Sequence, residues 1–87
     1  MKRQEIIDTV NAIIGEKADI APEYIEPDDC YDEIGVSFDQ LIELSVKMED
    51  EFAIDITGTD LMHFNTMQDM YDIIEKKIID TLGFQVY

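Results

Sequence analysis

Apolar residues recur at helical spacing in the first stretch of the chain, from Lys2 to about Gly15. They are Ile6, Ile7, Val10, Ile13 and Ile14. Steps of three and four residues keep apolar side chains on one face of a helix. Gly15 suits the end of this helix, because glycine readily adopts the left-handed conformation found just after helix ends. The pattern predicts an amphipathic first helix that ends near Gly15.

A second helical stretch begins at Ser37. Ser37 and Gln40 have the spacing of a capping box, in which a hydroxyl accepts from a backbone amide and the glutamine side chain reaches back. The inner side is predicted to hold Phe38, Leu41, Ile42, Met48 and Phe52, with the small Ser45 on the same side. The outer side carries Asp39, Glu43, Glu49 and Asp50. We expect this second helix to run from Ser37 to about Glu51.

The remainder of the chain predicts one short helix and one long one. Thr59–Phe64 is long enough for only a short helical turn. Thr66 and Asp69 then repeat the capping-box spacing with an acidic partner, which marks the start of a last helix. Its apolar stripe consists of Met67, Met70, Tyr71, Ile73, Ile74 and Ile78. Gly83–Tyr87 is a short apolar tail to which the pattern assigns no role.

The connection between the first two helices, residues 18–36, contains both prolines of the chain. Its 19 residues are long for a small domain, so it needs apolar anchors or a function. The candidate anchors are Ile20, Tyr24, Ile25, Tyr31 and Ile34. An EF-hand is excluded, because a calcium loop starting at Asp28 has Glu33 where glycine is required.

Together these elements predict an all-α fold, a small four-helix bundle with three main helices, one short helix and a long first loop. We expect a single domain over residues 1–87, with its core at about 3–80 and a short tail at 81–87. Hydrophobic residues make up 46% of the chain, too many for a charge-swollen disordered polymer.

Charge narrows the choice of partners. The chain has 21 acidic and 6 basic side chains, which gives a net charge of −15 at pH 7. Nucleic acids and anionic membrane surfaces are excluded as partners, because binding them requires clustered lysine and arginine. The expected partner is a protein with a basic surface.

The sequence offers little catalytic chemistry. Cys30 is the one cysteine, which excludes an internal disulfide and leaves too few thiols for a zinc cluster. His63 is the one histidine, and we interpret it as a surface or packing residue rather than a base or metal ligand. The basic start Met1–Arg3 is followed by no signal-peptide core, and no segment is apolar enough to span a membrane. The expectation is a cytoplasmic protein without a metal site, monomeric when free.

The order of helix, long loop, acidic helix, short helix and final helix resembles the acyl carrier protein family over about residues 3–80. The closest stretches are Glu43 to Phe52 with the following Ile54 to Ile56, and the start of the last helix at Thr66–Asp69. The resemblance implies a carrier rather than an enzyme. It also implies a covalent 4′-phosphopantetheine arm that tethers acyl or polyketide intermediates as thioesters. The family attaches this arm to the serine of an Asp-Ser-Leu motif at the start of the second helix.

This chain departs from that motif, and two registers are open. Aligned by the motif itself, Ser37 matches the family's serine, Val36 replaces the aspartate, and one residue is inserted before Glu43. Aligned without gaps, Ser37 matches the aspartate and Phe38 matches the serine. In the first register Ser37 is the attachment site. In the second, Ser37 is only a helix cap that stabilises the helix by about 1 kcal/mol, and Phe38 extends the core stripe.

The resemblance also implies partners. A phosphopantetheinyl transferase would load Ser37, and basic-surfaced acyl- or ketosynthase-type enzymes would dock on the outer acids Asp39, Glu43, Glu49 and Asp50. One alternative is a pseudo-carrier with the same fold and no prosthetic group, acting as an adaptor or regulator. A second alternative is an unrelated acidic helical protein, such as an antitoxin or a nucleic-acid mimic. The concentration of acids around one helix after a long loop disfavours that second alternative.

Overall fold

Four α-helices and one 3₁₀ turn make up the helical structure in the computed structural model, which describes residues 1–83 and 85–87. The helices are α1 (Arg3–Ala18), α2 (Phe38–Phe52), α3 (Gly58–Met62) and α4 (Met67–Leu82), and the 3₁₀ turn is Pro22–Tyr24. The predicted all-α fold, with three main helices, one short helix and a long first loop, is confirmed. Across the described residues, no helix is both long enough and apolar enough to cross a membrane.

The core forms where α1 packs against both α2 and α4. Its buried members from the long helices are Ile6, Val10 and Ile14 from α1, Leu41, Leu44, Met48 and Phe52 from α2, and Met67, Met70, Tyr71, Ile74 and Ile78 from α4. Burying one large apolar side chain contributes about 1.5–3 kcal/mol, so these stripes supply most of the driving force for folding. The side chains of Tyr71 and Asn11 form a buried hydrogen bond that joins α4 to α1.

The prediction that α1 ends near Gly15 is wrong. The helix continues to Ala18, and Asp19 takes the left-handed conformation at its end, with φ of 57°. Gly15 is buried, and a Cβ atom at this position would lie 2.5 Å from the carbonyl oxygen of Ile20. The glycine therefore serves a close approach of the chain that leaves α1, and the predicted helix end was three residues early.

Two residues predicted on the inner side of α2 face outward. Phe38 is 46% exposed and Ile42 is 40% exposed. Ile42 follows the buried Leu41 by one residue, which is about 100° around the helix. Phe38 is the first residue of α2, and side chains in a helix lean toward its N-terminus, so Phe38 projects past the end of the packed region.

The long first loop is held by buried side chains and by backbone hydrogen bonds to the start of α4. Ile25 and Val36 are buried, and Ile20, Tyr31 and Ile34 pack partly against the core. Tyr24, predicted as an anchor, is 74% exposed. The amides of Met67 and Gln68 donate to the carbonyl oxygens of Asp29 and Pro27, both at 2.9 Å. These bonds satisfy amides in the first turn of α4 that have no partner within the helix.

The two ends of the chain lie side by side. The amide of Arg3 donates to the carbonyl oxygen of Tyr87 at 2.6 Å, and the amide of Tyr87 donates to the carbonyl oxygen of Met1 at 3.1 Å. Arg3 also forms ion pairs with Asp72, at 2.8 Å, and with Glu75 on α4. Part of the predicted apolar tail is thus hydrogen-bonded to the backbone of Met1 and Arg3. Phe84, which belongs to that tail, lies outside the described residues.

Candidate functional site

Ser37 is the residue immediately before α2 and caps the helix. Its backbone is extended, with φ of −76° and ψ of 164°. The Ser37 Oγ accepts a hydrogen bond from the Gln40 amide at 3.2 Å, and the Ser37 amide donates to Gln40 Oε1 at 3.0 Å. The capping box predicted from the sequence is confirmed, and the Ser37 side chain is exposed.

The residues before Ser37 hold it in place. Val36 is 1% exposed, and its amide donates to the carbonyl oxygen of Tyr31 at 3.0 Å. Gly35 has a φ of 104°, a left-handed value that favours glycine and turns the chain toward Val36. Ser37 therefore stands at the surface between a buried anchor and a capped helix. Its hydroxyl is presented on rigid backbone.

Ser37 and Ser45 are the two serines of the chain, and their environments differ. Ser45 is 4% exposed and lies in the middle of α2, where its hydroxyl donates to the carbonyl oxygen of Ile42 at 2.6 Å. An enzyme that modifies a serine needs access to the oxygen and room for the incoming group. Of the two, Ser37 meets that requirement and Ser45 does not.

Phe38 does not extend the core, which contradicts the structural role given to it in the ungapped register. Its exposed ring begins a stripe that continues with Ile42 and Val46, which is 54% exposed. This exposed stripe was not predicted from the sequence. The spacing of four residues between its members, on the flank beside the line through Leu41, Leu44 and Met48, was the signal that could have revealed it.

The four acids predicted to bind partners are not equivalent. Asp39, Glu43 and Asp50 are exposed along α2, next to the apolar stripe. Glu49 is half-buried, and its carboxylate accepts a hydrogen bond from the Ile56 amide at 2.8 Å. Glu49 therefore holds the segment between α2 and α3. We call the surface formed by Phe38, Asp39, Ile42, Glu43, Val46 and Asp50 the α2 face.

The single cysteine and histidine lie outside this surface. A hydrogen bond with Glu33, together with the charges of neighbouring carboxylates, raises the pKa of Cys30 above its usual value, which keeps the thiol in its weakly nucleophilic neutral form. His63 is exposed at the end of α3, with its Nδ1 atom 2.9 Å from the Thr59 carbonyl oxygen.

Comparison with known proteins identifies the family to which this chain belongs. A family model described as a phosphopantetheine attachment site matches residues 8–74, which include all of α2. The chain belongs to the acyl carrier protein family. Its relatives include an acyl carrier protein of Thermosynechococcus vestitus, 30% identical over 90% of this chain and 98% of that protein. Another, from Buchnera aphidicola, is 35% identical over 85% of this chain and 94% of that protein.

The fold agrees with this membership. The crystal structure of an acyl carrier protein from Thermotoga maritima matches with a TM-score of 0.77 and 27% identity, over 90% of this chain and 92% of that one. Members of the family carry a covalent phosphopantetheine group rather than catalyse a reaction, and they interact with synthase enzymes and a phosphopantetheinyl transferase.

The chemistry of the arm can be tested against the residues present. An arm attached through a phosphate ester needs a hydroxyl at the start of α2. Ser37 supplies an exposed one, whereas the Phe38 side chain has no oxygen. Amides at a helix N-terminus favour a phosphate placed there. The residues present therefore fit phosphopantetheine if the attachment is at Ser37.

Proposed function

We propose that this chain is a cytoplasmic carrier that holds acyl or polyketide intermediates on a phosphopantetheine arm ester-linked to Ser37. The observation that supports the proposal most directly is the position of Ser37, an accessible serine at the start of α2 within the matched attachment-site region. When bound, the arm supplies a terminal thiol that holds the acyl group as a thioester. The carrier itself performs no catalysis.

Loading requires one substitution at phosphorus. The Ser37 Oγ forms a bond to the coenzyme A phosphorus that bears the pantetheine group. The bond from that phosphorus to the bridging oxygen breaks, and adenosine 3′,5′-bisphosphate leaves with the electron pair. The Ser37 proton passes to a base on the transferase, so the carrier needs no catalytic base of its own.

The α2 face is the surface we propose for the transferase and for basic-surfaced acyl- and ketosynthase-type enzymes. Its acids Asp39, Glu43 and Asp50 are exposed and adjoin an apolar stripe. Complementary charge raises the rate of encounter, and the apolar stripe provides area that loses water on contact. We assign Glu49 a smaller part in docking, because its carboxylate already holds the Ile56 amide.

Intact mass spectrometry tests the attachment. We expect the purified chain to gain one phosphopantetheine group when incubated with coenzyme A, magnesium and a broad-specificity phosphopantetheinyl transferase. Ser37→Ala should gain none, whereas Ser45→Ala, which alters the buried serine, should be loaded like the unmodified sequence. If no mass increment appears with any of several transferases, the proposal is wrong.

The alternative is a pseudo-carrier that acts as an adaptor or regulator without an arm. One observation favours it: in the ungapped register, which needs no insertion before Glu43, Phe38 takes the place of the family's serine, and α2 runs without interruption from Phe38 to Phe52. A variant distinguishes the two functions. If Phe38→Ser becomes loaded while the unmodified chain does not, the arm position is 38 and the chain is a pseudo-carrier.

A further inference from the structure

The Ser37 hydroxyl makes one hydrogen bond to the first turn of α2 and can form others. Its oxygen accepts from the Gln40 amide at 3.2 Å. A hydroxyl oxygen has two lone pairs and one proton, so this bond occupies one lone pair and leaves the second lone pair and the proton for outside partners. Because Ser37 is exposed, those remaining groups are accessible to solvent.

The Gln40 side chain binds the backbone amide of Ser37. Its Oε1 atom accepts from the Ser37 amide at 3.0 Å, and the Ser37 carbonyl oxygen accepts from the Leu41 amide at 2.9 Å. The amide, hydroxyl and carbonyl groups of Ser37 are thus all tied to the first turn of α2. The side-chain bond from Gln40 is the one that a single substitution can remove without touching Ser37.

We propose that Gln40 is a positioning residue for the loading of Ser37: by holding the Ser37 amide, its side chain fixes the backbone from which the Ser37 hydroxyl projects at the surface. This inference rests on the proposed function, since it concerns how the arm is attached. It adds a second residue to that site. Gln40 acts through Ser37 and makes no contact with the reacting phosphorus.

Removal of the Gln40 side chain should slow loading without weakening recognition. Without the side-chain bond to its amide, the Ser37 backbone samples more orientations and its hydroxyl spends less time aligned with the phosphorus, so Gln40→Ala should lower kcat of loading by about three- to tenfold. KM for the carrier should stay nearly unchanged, because the α2 face is intact. Gln40→Glu keeps an acceptor at the same place and should retain the original kcat.

Helix α4 provides a matched control. Thr66 and Asp69 form a capping box in which the Thr66 amide donates to Asp69 Oδ2 at 3.0 Å and the Asp69 amide donates to Thr66 Oγ1 at 3.2 Å. These are the same two distances as in the Ser37 and Gln40 box. Asp69→Ala should therefore remove a comparable capping hydrogen bond from α4 and leave the loading rate unchanged.

The experiment measures steady-state loading of the unmodified chain and the variants by intact mass, with amide hydrogen exchange at Ser37 as a second readout. Gln40→Ala should show faster exchange at Ser37 and lower kcat, and Asp69→Ala should show neither. Loading of Gln40→Ala at the original rate, or equal slowing by Asp69→Ala, would overturn the inference and leave the proposed function standing. Failure of the unmodified chain to load at all would overturn both.

Discussion

A hydrogen bond between the side chains of Tyr71 and Asn11 crosses the core between α4 and α1. Tyr71 is 1% exposed and Asn11 is 7% exposed, so neither group can exchange this bond for one to bulk water. Tyr71→Phe keeps the ring and leaves the Asn11 oxygen without its partner. We expect a loss of about 1–3 kcal/mol in the free energy of unfolding, measured by urea denaturation. Tyr24→Phe, at an exposed tyrosine, should have almost no effect.

The same residue should make stability depend on pH above neutrality. Burial raises the pKa of the Tyr71 hydroxyl above its ordinary value. In the unfolded chain the hydroxyl ionises near its ordinary pKa, so the folded state retains more protons at alkaline pH. The free energy of unfolding should therefore fall as pH rises above about 10. The difference between the unmodified chain and Tyr71→Phe should shrink over that range, and a constant difference would contradict the assignment.

At the scale of the elements, Gly15 controls how the first loop leaves α1. Its missing side chain admits the carbonyl oxygen of Ile20, and the Ile20 amide donates back to the Gly15 carbonyl oxygen at 2.9 Å. Gly15→Ala should force this turn apart and cost about 1–3 kcal/mol of stability, despite the better helix propensity of alanine. Gly58→Ala is the matched control, because no atom lies within 4 Å of the added Cβ. Its thermal unfolding midpoint should stay close to that of the unmodified chain.

The helices were predictable because each carries a strong local signal. The stripes from Ile6 to Ile14 and from Met67 to Ile78 follow the helical period, and the capping boxes at Ser37 and Thr66 mark two helix starts. The role of Gly15 was not predictable in the same way. It depends on the position of the carbonyl oxygen of Ile20, five residues later. From sequence alone, a glycine that ends a helix cannot be told from one that admits a close backbone contact.

The candidate site was predictable in its residues and less so in their exposure. Ser37 and three of the four predicted acids prove to be exposed, but Phe38 and Ile42 were wrongly predicted to lie in the core. Which flank of a broad apolar stripe becomes buried depends on the neighbouring helices. Here the line through Leu41, Leu44 and Met48 is buried in the core, where α1 packs on α2, and the adjoining flank is left open.

At the scale of the whole molecule, a net charge of −15 attracts a basic partner from many directions. The positions of the acids on the surface then determine how the partner is oriented when it binds. Glu43→Lys combined with Asp50→Lys should slow association with the transferase about tenfold at low salt, and added salt should reduce the difference. Stopped-flow measurements of association would show it.

The control for this prediction applies the same change of net charge elsewhere. Glu23→Lys with Asp80→Lys alters two exposed acids outside α2 and should slow association much less. Equal slowing by both pairs would mean that total charge, rather than the α2 face, governs encounter.

The pairing of the two chain ends has a consequence for engineering. Because backbone hydrogen bonds join Met1 and Arg3 to Tyr87, the polypeptide enters and leaves the fold at one place. A protein with adjacent ends can be inserted into a surface loop of a host with short connectors, since its insertion separates the host's flanking residues very little. The same adjacency suits circular permutation, in which a short peptide joins Tyr87 to Met1 and new ends are opened in an exposed turn. This fold could therefore be moved as a cassette, with the helices and their order in space unchanged.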